Sequence, residues 1–179
     1  MNANDASYGY LLSLLAVNIK VARLKNNYRQ ADMIHFGFSE RFIQKIESGI
    51  YSPNLYTIHR ISNALTEPIE ELFKKKSDVS ITNELYRVKT TALDLLLYSM
   101  RNTEKNYSKL LSHLAQNVKD ARIKKQLRQS DMIEFGFSER FIQKIESGVY
   151  SPNLYTVHRL AEAFDIPVDK LFKNNSAIK

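Results

Sequence analysis

The stretch FGFSERFIQKIESG stands at residues 36–49 and again, unchanged, at residues 135–148. Each copy carries long side chains able to donate or accept several hydrogen bonds: Glu40, Arg41, Gln44 and Lys45, matched by Glu139, Arg140, Gln143 and Lys144. On a helix with Ile43 and Ile46 turned inward, these four share the outward face with Ser48. An arginine there can donate twice to guanine O6 and N7, and a glutamine can pair with adenine N6 and N7. Lys45 can read guanine or neutralise a phosphate, while Glu40 can accept from cytosine N4 or orient Arg41. A solvated helix face suits the same residue types. A core, however, explains repeated apolar residues and not a repeated set of exposed polar ones. Recent duplication alone predicts scattered changes, whereas this window has none.

The elements that must hold these residues follow from the repeat. Asp32 matches Asp131, and the same offset of 99 aligns residues 11–74 with 110–173 without a gap, roughly two-thirds of the positions being identical. Two homologous domains are therefore expected, over 1–76 and 103–179, with a connector over 77–102. Ile19/Val118, Ile50/Val149, Ile58/Val157 and Ile61/Leu160 read as swaps within a core. Tyr28/Leu127, His35/Glu134 and Asn63/Glu162 read as drift on a solvent face.

Within each unit the spacing predicts helices only. Leu12, Leu15, Ile19 and Ala22 give a first helix an apolar stripe, and RQADMIHF predicts a short second helix ended by Gly37. Ser39 suits an N-cap for a third helix over 40–48, with Glu40 where the helix dipole favours an anion. Pro53 and Asn54 open a fourth helix through Leu55, Ile58, Ile61 and Leu65, and Pro68 starts a short fifth. Between the units, Leu85, Val88, Ala92, Leu95 and Leu96 recur at helical steps, predicting a long amphipathic connector helix that packs on its own domains or on a second chain.

Composition limits the alternatives. The 179 residues are 44% hydrophobic and 25% charged, ordinary for a soluble globular chain. The net charge of +7 favours polyanionic partners such as nucleic acid or an acidic membrane surface. No run reaches the length of a membrane span, the N-terminal residues lack the features of a signal peptide, and there is no cysteine, all of which fits a cytoplasmic protein.

The run GFSERFIQKIESGIYSPNLYTIHRISNAL resembles the lambda-repressor-like (XRE-type) helix-turn-helix family. The residues that carry the resemblance are Gln30, Gly37, Ser39, Ile43, Ile46, Glu47, Gly49 and Pro53, with Gln129, Gly136, Ser138, Ile142, Ile145, Glu146, Gly148 and Pro152 in the second copy. It covers nearly all of both units and none of the connector. It implies an all-α fold, two tandem five-helix helix-turn-helix domains joined by the connector, and sequence-specific binding of double-stranded DNA by a repressor-like transcription regulator. By the same resemblance Gln30, Ser39, Tyr51 and Asn54, with Gln129, Ser138, Tyr150 and Asn153, join the four outward residues of each copy at the DNA. It also implies ion pairs Arg23–Glu47 and Arg122–Glu146 that lock the first helix to the third. The interval from Gln30 to Gly37 is one residue shorter than the family pattern in both copies, so the second helix or its turn should be altered.

Phe42 reads either as a packing residue or as a contact to a thymine methyl. His59 and His158, the only histidines that recur, read as surface or phosphate-contacting residues on the fourth helix. Nothing suggests an enzyme: there is no Gly-rich phosphate loop, no metal-ligand spacing and no placed triad, and no cofactor is implied. The partner expected is duplex DNA with repeated or pseudo-palindromic half-sites, bound by an intramolecular pseudo-dimer or by a homodimer formed through the connector. A second function class stays open, a protein-interaction module of antitoxin-like or bridging kind whose connector docks a partner.

Overall fold

The computed structural model describes residues 3–75 and 92–173, with side chains over 6–75 and 106–173. The chain divides into two compact units, Met1–Thr103 and Glu104–Lys179. All regular structure among the described residues is helical.

In the first unit α1 (Ala3–Lys25) is followed by a 3₁₀ segment (Gln30–Phe36), α2 (Glu40–Glu47), α3 (Leu55–Ala64) and a second 3₁₀ segment (Ile69–Phe73). Leu12, Leu15, Ile19 and Ala22 form the inner stripe of α1, and Ile43 and Ile46 of α2 join them with Leu55, Ile58 and Ile61 of α3. Asn18 is buried in the middle of α1, where its Nδ2 donates to the carbonyls of Leu72 and Lys74, both at 2.9 Å. One amide thus ties the end of the unit back to its first helix.

The second unit repeats the plan with α4 (Ala92–Lys124), a 3₁₀ segment (Ser130–Phe135), α5 (Glu139–Glu146), α6 (Leu154–Phe164) and α7 (Val168–Phe172). Asn117 makes the matching bonds to Leu171 and Lys173, at 2.9 and 2.8 Å. The backbone is helical from Ala92 without a break into the helix that opens this unit. The rest of the connector expected over 77–102 lies outside the described residues.

The short second helix expected at RQADMIHF is present over Gln30–Phe36, wound as a 3₁₀ helix with Arg29 at its N-terminal cap position. At about 2.0 Å of rise per residue against about 1.5 Å, this winding makes the segment longer than an α-helix of the same number of residues. The fifth element of the first unit is likewise 3₁₀. Ile50 and Val149 are not core residues: they are 85% and 84% exposed, because each follows a left-handed glycine and lies on no helical face. The other three swaps, Ile19/Val118, Ile58/Val157 and Ile61/Leu160, are buried in both copies.

His59 and His158 are not surface residues either. They are 6% and 5% exposed, on the inner side of α3 and α6. His59 Nε2 lies 3.1 Å from Asn63 Nδ2, and His158 Nε2 lies 3.2 Å from Glu162 Oε1. The Asn63/Glu162 difference is therefore a change of partner for a buried imidazole as well as a surface change.

Candidate nucleic-acid interface

The outward face of α2 is built by its ends and its back. Ser39 Oγ accepts from the Phe42 amide at 3.3 Å, which starts the helix, and Ser138 does the same for Phe141. Ile43 and Ile46 are buried, so Glu40, Arg41, Gln44, Lys45 and Ser48 are left exposed together. Gln44 Nε2 sits 3.4 Å from Glu40 Oε1, one turn away, and Gln143 reaches Glu139 at 3.3 Å. Arg41, Lys45, Arg140 and Lys144 remain exposed.

The glycines before and after α2 fix where it begins and stops. Gly37 takes φ +77°, and a Cβ on it would stand 2.9 Å from an Arg60 guanidinium nitrogen. Arg60 donates to the Phe36 carbonyl at 2.9 Å and lies 4.6 Å over the Phe38 ring, which braces the turn between the 3₁₀ segment and α2. Arg159 braces the second copy through the Phe135 carbonyl and the Phe137 ring. Gly49 takes φ +74°, and a Cβ there would lie 3.3 Å from the Ser13 Cα. The sequence reading missed Arg60 and Arg159. A basic residue on α3 signals nothing by itself, and its carbonyl partner is 24 positions away.

Behind the face, Arg23 donates through Nε and Nη2 to the two oxygens of Glu47, at 2.6 and 2.9 Å. Its Nη1 donates to the Tyr28 carbonyl at 2.6 Å. The side chains are 6% and 4% exposed, so the pair is dry. Arg122 and Glu146 repeat this geometry, with Nη1 on the Leu127 carbonyl at 2.7 Å. The arginine uses the backbone at position 28 or 127, so the change from Tyr to Leu leaves the bond intact. Glu146 also holds the Arg122 guanidinium pKa above its ordinary value, through their hydrogen bonds.

Gln30 belongs to this network. Its Nε2 donates to Glu47 Oε2 at 2.8 Å, and Gln129 donates to Glu146 at 2.8 Å. One of the two amide hydrogens of each glutamine is thereby used within the domain, on the scaffold and not on the outward face.

Around the start of α3, Asn54 Oδ1 accepts from the Thr57 amide at 2.8 Å as the N-cap, and Asn153 does the same for Thr156. Both asparagines are exposed, so their amide nitrogens face solvent. Tyr51 packs edge-on to Phe42, with ring centroids 5.6 Å apart, and Phe42 stacks on Phe38 at 6.1 Å. Phe42 is thus half-buried and packed, the first of its two readings. Tyr150, Phe141 and Phe137 form the same row. Tyr8 and Tyr107 reach across from α1 and α4 to hydrogen-bond Ser52 and Ser151.

The two copies therefore present one set of groups: cationic and amide donors on a short helix, with capped amides and phenols beside it. No group of three histidine, aspartate or glutamate residues is placed to hold a metal ion among the described residues. None of the described helices is long and apolar enough to cross a membrane. Neither the curated proteins nor the solved structures contain a significant match. The helix-turn-helix family matches residues 118–171, from within α4 through α7.

Proposed function

We propose that the protein is a sequence-specific double-stranded-DNA-binding transcription regulator of repressor-like action, with α2 and α5 as two identical reading helices. The carrying observation is the face of α2. Arg41, Gln44 and Lys45 are exposed side by side on a helix whose back is fixed by two buried isoleucines and a dry ion pair, and α5 repeats it. The helix-turn-helix match over residues 118–171 supports the same reading. Arg41 and Arg140, near the first turn, meet base edges by bidentate donation. Gln44 and Gln143 read a neighbouring base, while Lys45 and Lys144 neutralise phosphates or read guanine. Glu40 and Glu139 orient the amides they bond. Ser39, Tyr51 and Asn54, with Ser138, Tyr150 and Asn153, contact the sugar-phosphate backbone, which sets register without reading sequence. Gln30 and Gln129 act mainly as scaffold.

Binding to a randomised duplex pool, followed by sequencing of the retained fraction, should recover a site with a repeated element. Arg41→Ala combined with Arg140→Ala should remove about 1–3 kcal/mol of discrimination per half-site while leaving helix content unchanged. Retention of the wild-type preference by the double variant would remove arginine from the reading set.

A further inference from the structure

The two units differ most plainly on the outer side of their first helices. Tyr10, Leu14, Val17, Val21 and Leu24 recur on α1 at steps of four and three, which is one continuous stripe. Tyr10, Val17 and Leu24 are 58%, 57% and 49% exposed. In the second unit the equivalent positions are Lys109, His113, Gln116, Asp120 and Ile123, and Gln116 donates to Asp120 at 2.8 Å. The same scaffold therefore folds with a polar stripe, so the apolar one on α1 is not needed for the core.

We infer that the α1 stripe is a docking surface for the connector of the same chain, through Ile81, Leu85 and Val88. The bonds from Asn18 to Leu72 and Lys74 hold the chain against the middle of α1 just before Lys75. From Lys75 to Ile81 the chain can span up to about 20 Å. The stripe from Tyr10 to Leu24 is about 21 Å long, so it lies within reach. Ile81, Leu85 and Val88 follow steps of four and three, the steps of Tyr10, Leu14 and Val17. A tethered segment also competes at an effective concentration of about a millimolar, which favours it over a second copy of the chain. This inference does not depend on DNA binding.

The chain has no cysteine, so a single thiol can report on the stripe. In the full-length protein, Val17→Cys should react slowly with a small maleimide, and adding Leu85→Asp and Val88→Asp should speed it about ten-fold. Gln116→Cys should react fast in both backgrounds, and Leu24→Cys repeats the measurement at the other end of the stripe. Helix content by circular dichroism checks that each variant is folded. Val17→Cys and Leu24→Cys reacting as fast as Gln116→Cys in the otherwise native chain would overturn the inference. So would slow labelling that the connector aspartates leave unchanged; with disulfide-linked dimers on oxidation, that result would assign the stripe to a second copy.

Discussion

Arg23 and Glu47 show how much a single buried contact carries in so small a unit. Replacing Glu47 by alanine leaves the Arg23 guanidinium in a dry site with only a backbone carbonyl for company. The loss should be about 3–5 kcal/mol, read as a lower denaturation midpoint of the first unit. An unchanged midpoint would mean that water reaches the pair. The buried histidine of the second unit makes a different prediction. Burial holds the His158 imidazole pKa below its ordinary value, outweighing the opposing pull of Glu162. The unfolded chain takes up this proton near pH 6.5, whereas the folded unit resists it until lower pH. Its contribution to stability is thus present above about pH 6.5 and is lost as the pH falls towards the folded value. The melting temperature should drop more between pH 7.5 and 5.5 in the wild type than in His158→Gln; equal drops would dismiss the effect. The sequence did not reveal that either histidine is buried, because one residue's position on a helix does not say what packs over it from elsewhere in the chain.

Elements were more legible than contacts. The apolar steps of α1 and α3, the Ser39 and Asn54 caps and the glycine stops are local signals, and each appears where its residues stand. The 3₁₀ winding of Gln30–Phe36 was less legible, since residue preferences barely separate it from an α-helix over one or two turns. Brace contacts such as Arg60 to Phe36 are non-local and left no trace. The end of α3 also carries a strain that the repeat exposes. Thr66 has φ +52°, where a β-branched residue is disfavoured, while its counterpart Asp165 at φ +55° is a type that tolerates this conformation. Thr66→Asn should therefore stabilise the first unit by about 1 kcal/mol in urea denaturation. A neutral or negative result would mean that the Thr66 hydroxyl bond to the Leu65 carbonyl outweighs the backbone strain.

At the scale of the whole chain, the duplication and its offset were plain in the sequence. What the connector covers was not, since an apolar period names no partner. If two reading helices act from one tethered chain, disabling one should cost far more than half of the binding. Arg41→Ala with Gln44→Ala, in the first unit alone, should weaken binding to a duplex carrying two half-sites by about 10²-fold or more. A two-fold loss would mean that the units bind independently. Two copies this alike also carry a hazard during synthesis, because the first helix of one could pair with the remainder of the other. The Asn18 bonds to Leu72 and Lys74 bear on that hazard, since they join residues 54 and 56 positions apart and their last partner, Lys74, emerges before any residue of the second copy. The matching residues of the second copy follow 99 positions later, at ordinary synthesis rates a delay of about 5–20 s. The first copy thus holds every residue of its own closing contact before the second is complete, and the order of translation favours each half pairing with itself.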